Sequence, residues 1–220
     1  LENAGLSLDM PSVFHRPVTA RISGRPVLNN KSVAPLRLKL HLQELFSQPG
    51  VIDPREISMQ LSARAPGSSM ELQGGLGKKG IFGSLDIAPE RMVSAFSIFL
   101  PDELPEVQGD IHVELDAVYS PGALDRASLA LNATDFSLSG SDVPNVFGDM
   151  GVYLQGAGDV GKNLSFDLLF QGEELKMDRA GKQIGALELR LSQNGTYNAS
   201  NQTLQLCRGE LQLQENSFLR

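Results

Sequence analysis

Leucine occupies every second position from Leu36 to Leu42, with Arg37, Lys39 and His41 between. In an extended chain successive side chains point to opposite faces, so this stretch has one apolar side and one that faces water. Wound as a helix, the same leucines would scatter around the cylinder among the charges. The pattern therefore predicts a half-buried strand, and it recurs along most of the chain. Ala127 to Gly140 (ASLALNATDFSLSG) reads as strand, kink and strand: Leu129, Leu131 and Ala133 alternate, Asn132 to Asp135 break the pattern, and Phe136 and Leu138 resume it. LSFDLLF (164–170), LELRL (187–191), TLQLC (203–207) and ELQLQ (210–214) follow, each closed by Gly, Asn or Asp within a few residues.

Earlier in the chain, Leu6, Leu8 and Met10, then Val18, Ala20 and Ile22, predict two short strands. QPGVIDP is a turn, after which Ile57, Met59, Leu61 and Ala63 alternate; Met70 and Leu72 precede the loop GGLGKKG, and Leu85 and Ile87 follow it. Residues 88–100 (APERMVSAFSIFL) predict the one helix, with Pro89 and Glu90 suited to a first turn and Met92, Phe96 and Phe99 spaced by four and three. After PDELPEVQGD the strands resume at Ile111 to Ala117, Pro144 to Gly151 reads as a loop, and Val152 and Leu154 as a short strand. The expected fold is mainly β: a curved antiparallel sheet, forming an open groove or taco-like half-barrel with one short helix, with two sheets covering each other as a sandwich as the alternative. Residues 1–106 form an N-terminal β segment containing the helix, and 107–220 a C-terminal antiparallel meander. The whole reads as a piece of a longer protein.

Composition removes several functional classes. A net charge of −7, with no Lys or Arg clustered along the chain beyond pairs, argues against nucleic acid. No apolar run approaches the roughly 20 residues of a membrane-spanning helix. At 220 residues the chain can bury about 70% of its unfolded surface without help from a disulfide or a metal. Cys207 is the single cysteine, next to Leu206 and so on the opposite face from it, which suits the cytosol or a bacterial envelope equally.

Gly75, Gly77 and Gly80, and again Gly156, Gly158 and Gly161, spell G-x-G-x-x-G, and Lys162 adds phosphate-loop spacing to the second. Alternating residues rather than a helix follow both, so both read as hairpin loops. His15, His41 and His112 are far apart, the last two on polar strand faces, and five Asn-x-Ser/Thr sequons sit in ordinary turns. No nucleophile elbow, metal-binding helix motif or convergent carboxylate pair is present. The expectation is therefore no enzyme, no catalytic residue, no metal and no cofactor.

The leucine-alternating strands closed by Gly or Asn, the kinked ASLALNATDFSLSG, the passage LPDELPEVQGDIHVEL and the paired GALELRLSQNG and TLQLCRGELQLQ resemble the AsmA-like family of bacterial envelope proteins. Members related to TamB have the same texture, and the type II secretion N component has a similar cadence. The resemblance covers residues 107–218 well and the first hundred loosely, and it has no catalytic residue to carry over. It implies a periplasmic protein of a Gram-negative bacterium, anchored to the inner membrane by a segment outside this chain. It also implies an elongated, curved sheet with an apolar concave face, and a role in lipid transport between membranes or in outer-membrane biogenesis. On that reading Leu129, Leu131, Phe166, Leu168, Leu187, Leu189, Leu191, Leu204 and Leu206 line a groove for phospholipid acyl chains, or for a neighbouring envelope-protein domain. The other readings are a non-catalytic β-sandwich or secretion-system assembly module that binds a protein partner, and an enzyme with a polar pocket.

Overall fold

A computed structural model describes residues 2–9, 18–25, 27–28, 31–32, 35–43, 57–75, 80–97, 100, 105–120, 123–140, 145–159, 162–179 and 182–215. Six described strands of the main sheet precede the helix, β1 (Glu2–Asp9), β2 (Val18–Arg25), β5 (Leu36–Gln43), β6 (Ser58–Ala65), β7 (Ser68–Gly75) and β8 (Ile81–Ile87), and β9 (Glu106–Ser120) follows it. The sheet continues through β10 (Ala123–Ser139), β11 (Asn145–Asp159), β12 (Asn163–Arg179), β13 (Lys182–Asn198) and β14 (Thr203–Glu215). A small hairpin of β3 (Val27–Leu28) and β4 (Lys31–Ser32) stands apart. The twelve remaining described strands pair antiparallel in chain order, with β1 and β14 as edges that no described strand pairs, so the sheet is open rather than a barrel.

The sandwich alternative does not form. Among the described residues Ala133 is the only buried hydrophobic side chain. The accessible surface is 15121 Å², against about 9,900 Å² for a compact monomer of this mass. The chain thus buries about 56% of its unfolded surface, well below the 70% its length permits. Among the described residues no second layer covers the sheet.

Helix α1 (Pro89–Phe96) starts where Pro89 and Glu90 place it, with Pro89 buried at the first helical position. It packs against β9. Its entry is fixed by the β6–β7 turn: Gly67, at φ +72°, accepts a hydrogen bond from the Ala88 amide at 2.7 Å, and a side chain on Gly67 would run into the backbone of Met92. Ile98, Phe99 and the four residues after Leu100 lie outside the described residues, as do His15, QPGVIDP and most of GGLGKKG.

The later strands are longer than their sequence suggests, 13 to 17 residues against 7 or 8 for β1 to β8 apart from the two-residue hairpin strands. Residues expected to end strands instead form bulges inside them. Ala133 and Phe136 are three apart, which in a regular strand would put them on opposite faces; the register shift between them, with Asp135 at φ +50°, restores both to one face. The shift between Gly172 and Leu175, with Glu174 at φ +51°, does the same in β12. In β14, Arg208 pairs with Asn194 and Leu206 with Gly195, so the extra residue Cys207 brings Leu204, Leu206, Leu211 and Leu213 to a common side. TLQLC and ELQLQ are consequently one strand.

Glycines complete the crease. Gly109 (φ +106°) lies against the Asp135 bulge and Gly148 (φ +135°) against the Glu174 bulge, so the irregularities of β9 to β12 fall side by side and bend the sheet. The Asp149 carboxylate accepts the Asp135 amide at 2.7 Å and ties one bulge to the neighbouring strand. Two expectations are corrected here. The loop expected over Pro144 to Gly151 is strand from Asn145 onward, and the strand expected from Ile111 begins at Glu106, because Gly148 and Gly109 bend the pairing without ending it.

Candidate functional site: an uncovered apolar sheet face

Register turns the local alternation into a surface. One cross-strand row runs Leu6, Ile22, Leu38, Ala63, Met70 and Leu85 through the first half of the sheet. It continues as Val113, Leu131, Val152, Phe170, Leu191 and Leu211. Every strand contributes one residue and every residue is apolar. The adjacent row on the other face reads Ser7, Arg21, Lys39, Ser62, Glu71, Ser84 and Glu114 before reaching Ala130 and Tyr153. The two faces are chemically distinct from β1 to β9, and over β10 to β12 the second face carries Ala130, Tyr153 and Leu169.

All nine residues expected to line a groove lie on the apolar face. Leu131 and Leu191 belong to the row above; Leu129 and Leu168 both pair with Leu154; Leu189 pairs with Gly172 and Leu213, and Leu187 with Leu175. Phe166 crosses Gly156 and Gly195, and a side chain on Gly195 would collide with its ring. Leu206 and Leu204 pair with Gly195 and Tyr197 and are more than half exposed, at 59% and 58%.

The apolar hollow of this face lies in the other half of the sheet. Leu6, Ile22, Leu36, Leu38, Met70 and Leu85 surround about 610 Å³, and none of the nine takes part. The earlier strands were legible, but nothing in their local pattern marked them as the concave part. On the opposite face a polar hollow of about 660 Å³ spans β5 to β10, with Lys39, His41, Gln60, Glu71, Gln73 and Asp116 around Phe82. Depressions on both faces are the mark of a coiled, saddle-shaped sheet.

The chain was compared with protein-family models, curated proteins and solved structures. It matches none of them.

The register also assembles charges that the linear sequence keeps apart. Arg37 stands opposite Arg64, and Arg21 opposite Lys39. Sequence reading found no basic cluster because these residues come from three strands, and only the pairing of β2, β5 and β6 brings them together. Further along the polar face, the protonated imidazole of His112 donates from Nδ1 to Asp86 at 2.6 Å and from Nε2 to Glu114 at 3.2 Å. No group of three ligands able to hold a metal exists among the described residues. Ser69 donates to the other oxygen of Asp86 at 3.2 Å. The order is therefore Ser, Asp, His, with the carboxylate in the middle, which leaves the hydroxyl without the imidazole base a serine nucleophile needs.

Hydrogen bonding to Asp86, then to Glu114, raises the pKa of His112 above its ordinary 6.5, and the same His112 bond lowers that of Asp86. Because the folded-state value of the histidine is raised, its stabilisation is complete below about pH 6.5 and disappears as pH rises through the raised value. For Asp86 the stabilisation holds above 3.8 and is lost as pH falls through the lowered value. In an NMR titration the His112 ring should have its midpoint above 6.5 in the wild type and lower in Asp86→Asn. An unchanged midpoint in that variant would remove Asp86 as the cause.

Proposed function

We propose that this chain is a segment of a periplasmic envelope protein that carries lipid acyl chains on the uncovered apolar face of its sheet. Its role is in lipid transport between membranes or in outer-membrane biogenesis, without catalysis. The observation that supports this reading is the row of twelve apolar side chains, Leu6 to Leu211, with no layer packed over it among the described residues. Apolar area in contact with water costs about 25 cal/mol per Å², so a face of this extent favours an apolar cover. An acyl chain meets that need along several strands and, having few polar contacts, leaves again.

A protein cover is the second reading, and the sheet edges favour it. Among the described residues β1 and β14 are unpaired on their outer sides, with Leu6 and Leu211 76% and 66% exposed, and such edges accept a further strand. Native mass spectrometry of the chain, purified from an envelope fraction in mild detergent, separates the two. Phospholipid adducts in the expected reading give way, in the second, to a lipid-free mass that takes up no phospholipid on addition. The latter result rejects the lipid reading.

A further inference from the structure

We propose that the polar face of the sheet binds an oligosaccharide, laid across β5 to β10 with one sugar ring against Phe82. The lipid reading concerns the opposite face, so either can fail without the other.

Register builds the site. His41, Gln60, Gln73, Phe82, Asp116 and Ser128 are cross-strand partners in one row, and the row from Lys39 to Ala130 runs beside it. Together the two rows frame the 660 Å³ hollow. At the usual strand spacing of about 4.8 Å, they make a trough about 24 Å long that crosses the strands. A single small molecule fills part of such a trough, whereas a linear oligomer uses its length.

Most of the hydrogen-bonding capacity here is open. Gln60 and Gln73 stand directly opposite each other, and no described residue hydrogen-bonds or ion-pairs with their side chains or with those of Ser62, Glu71, Ser84 and Ser128. Amide and carboxylate groups each present two hydrogen-bonding atoms in one plane, which pair with neighbouring hydroxyls of a sugar. Asp116 adds an unmet acceptor: Arg126 donates to Oδ2 at 2.9 Å, while Oδ1 is enclosed without a donor. An oxygen left in that state is costly, and a hydroxyl entering beside it removes the cost.

Phe82 decides between ligand classes. It is the one aromatic side chain that the described residues of β1 to β9 place on this face, half-buried between Gln73 and Asp116. It also borders a second hollow of about 270 Å³ toward Gln43 and Ser58, so space lies on two sides of it. A pyranose has an apolar face of C–H groups, which rests on an aromatic ring, and a rim of hydroxyls, which the amides take. A free ion has no use for the ring, and an alkyl chain none for the amides. Two of the carboxylates, Glu114 and Asp116, already hold His112 and Arg126, which leaves little charge for a cationic ligand to neutralise.

Saturation-transfer difference NMR tests this on the intact chain with four hexasaccharides: cellohexaose, maltohexaose, the N-acetylglucosamine hexamer and its cationic, deacetylated counterpart. At least one neutral hexamer should receive saturation from the protein. Phe82→Leu, which keeps an apolar side chain but no ring, should weaken that hexamer about tenfold, and Phe82→Tyr should bind it like the wild type. Gln60→Ala/Gln73→Ala, which truncates only exposed side chains and so leaves the fold intact, should weaken it about tenfold or more. Gln212→Ala, on the same face but far off on β14, should change nothing. No transfer to any neutral hexamer, binding of the cationic hexamer alone, or wild-type affinity in both the Phe82→Leu and the double glutamine variant overturns the proposal. None of these results bears on lipid uptake by the apolar face.

Discussion

Serine at Leu131, Val152 and Phe170 together should reduce phospholipid binding by about a hundredfold. These three residues are consecutive in the apolar row, on β10, β11 and β12, so an acyl chain crossing the strands passes over all of them. Each loses about 1 kcal/mol of apolar contact with the chain, and about 1.4 kcal/mol corresponds to a factor of ten. The cost to folding should be smaller than for a closed core, where one Leu→Ala substitution removes 2–5 kcal/mol or so. All three side chains are half-buried, with no second layer over them among the described residues. Lipid titration and thermal unfolding of the same variant therefore diverge, with affinity falling steeply and Tm by a few degrees. Gln155→Ala/Gln171→Ala, on the other face of β11 and β12, should leave lipid uptake unchanged. If both variants lose lipid equally, the apolar face is not where it binds.

Alanine at Gly148 should destabilise the chain by about 2–3 kcal/mol. Its φ of +135° is strained for any residue with a Cβ, at about 1–3 kcal/mol. The new atom would also stand 2.8 Å from the Glu173 carbonyl oxygen and 3.0 Å from that of Glu174, backbone groups that cannot swing aside. Gly109→Ala meets the same obstacle at Thr134, 2.7 Å away. For a chain of this length each kcal/mol lowers Tm by about 2–4 °C, so either variant should unfold about 5–10 °C early by circular dichroism. Gly156→Ala is the contrast: its closest neighbour is at 3.1 Å and its backbone is unstrained, and its Tm should move by no more than a degree or two. Equal losses at Gly148 and Gly156 would mean that the crease is not a special backbone site.

The same crease explains where sequence reading and structure part. From Leu36 to Leu42 the alternation is unbroken, and strand β5 covers it almost residue for residue. In β10, β12 and β14 it is broken by an odd spacing, which reads locally as the end of one strand and the start of another. Nothing within a few residues distinguishes a terminating Asp from Asp135, whose backbone adopts a bulge because β11 supplies the Asp149 acceptor 14 residues later. Helix α1 was legible because Pro89 and Glu90 act on their own first turn. The site divides in the same way. The nine expected residues are on the apolar face, as their period requires, while the hollow and the facing arginines depend on which strands become neighbours.

The amino-acid sequence by itself determined which segments extend and which side of each is apolar, since successive side chains in a strand alternate whatever lies around them. Register, the bulges that keep twelve apolar positions in line, and the meeting of Arg37 with Arg64 were decided by pairing between distant residues. So was the absence of a second layer among the described residues. Alternation states only that one side avoids water, and a facing sheet, a partner domain or an acyl chain would each satisfy it; the open, single-layered sheet leaves that side to something other than the described strands themselves.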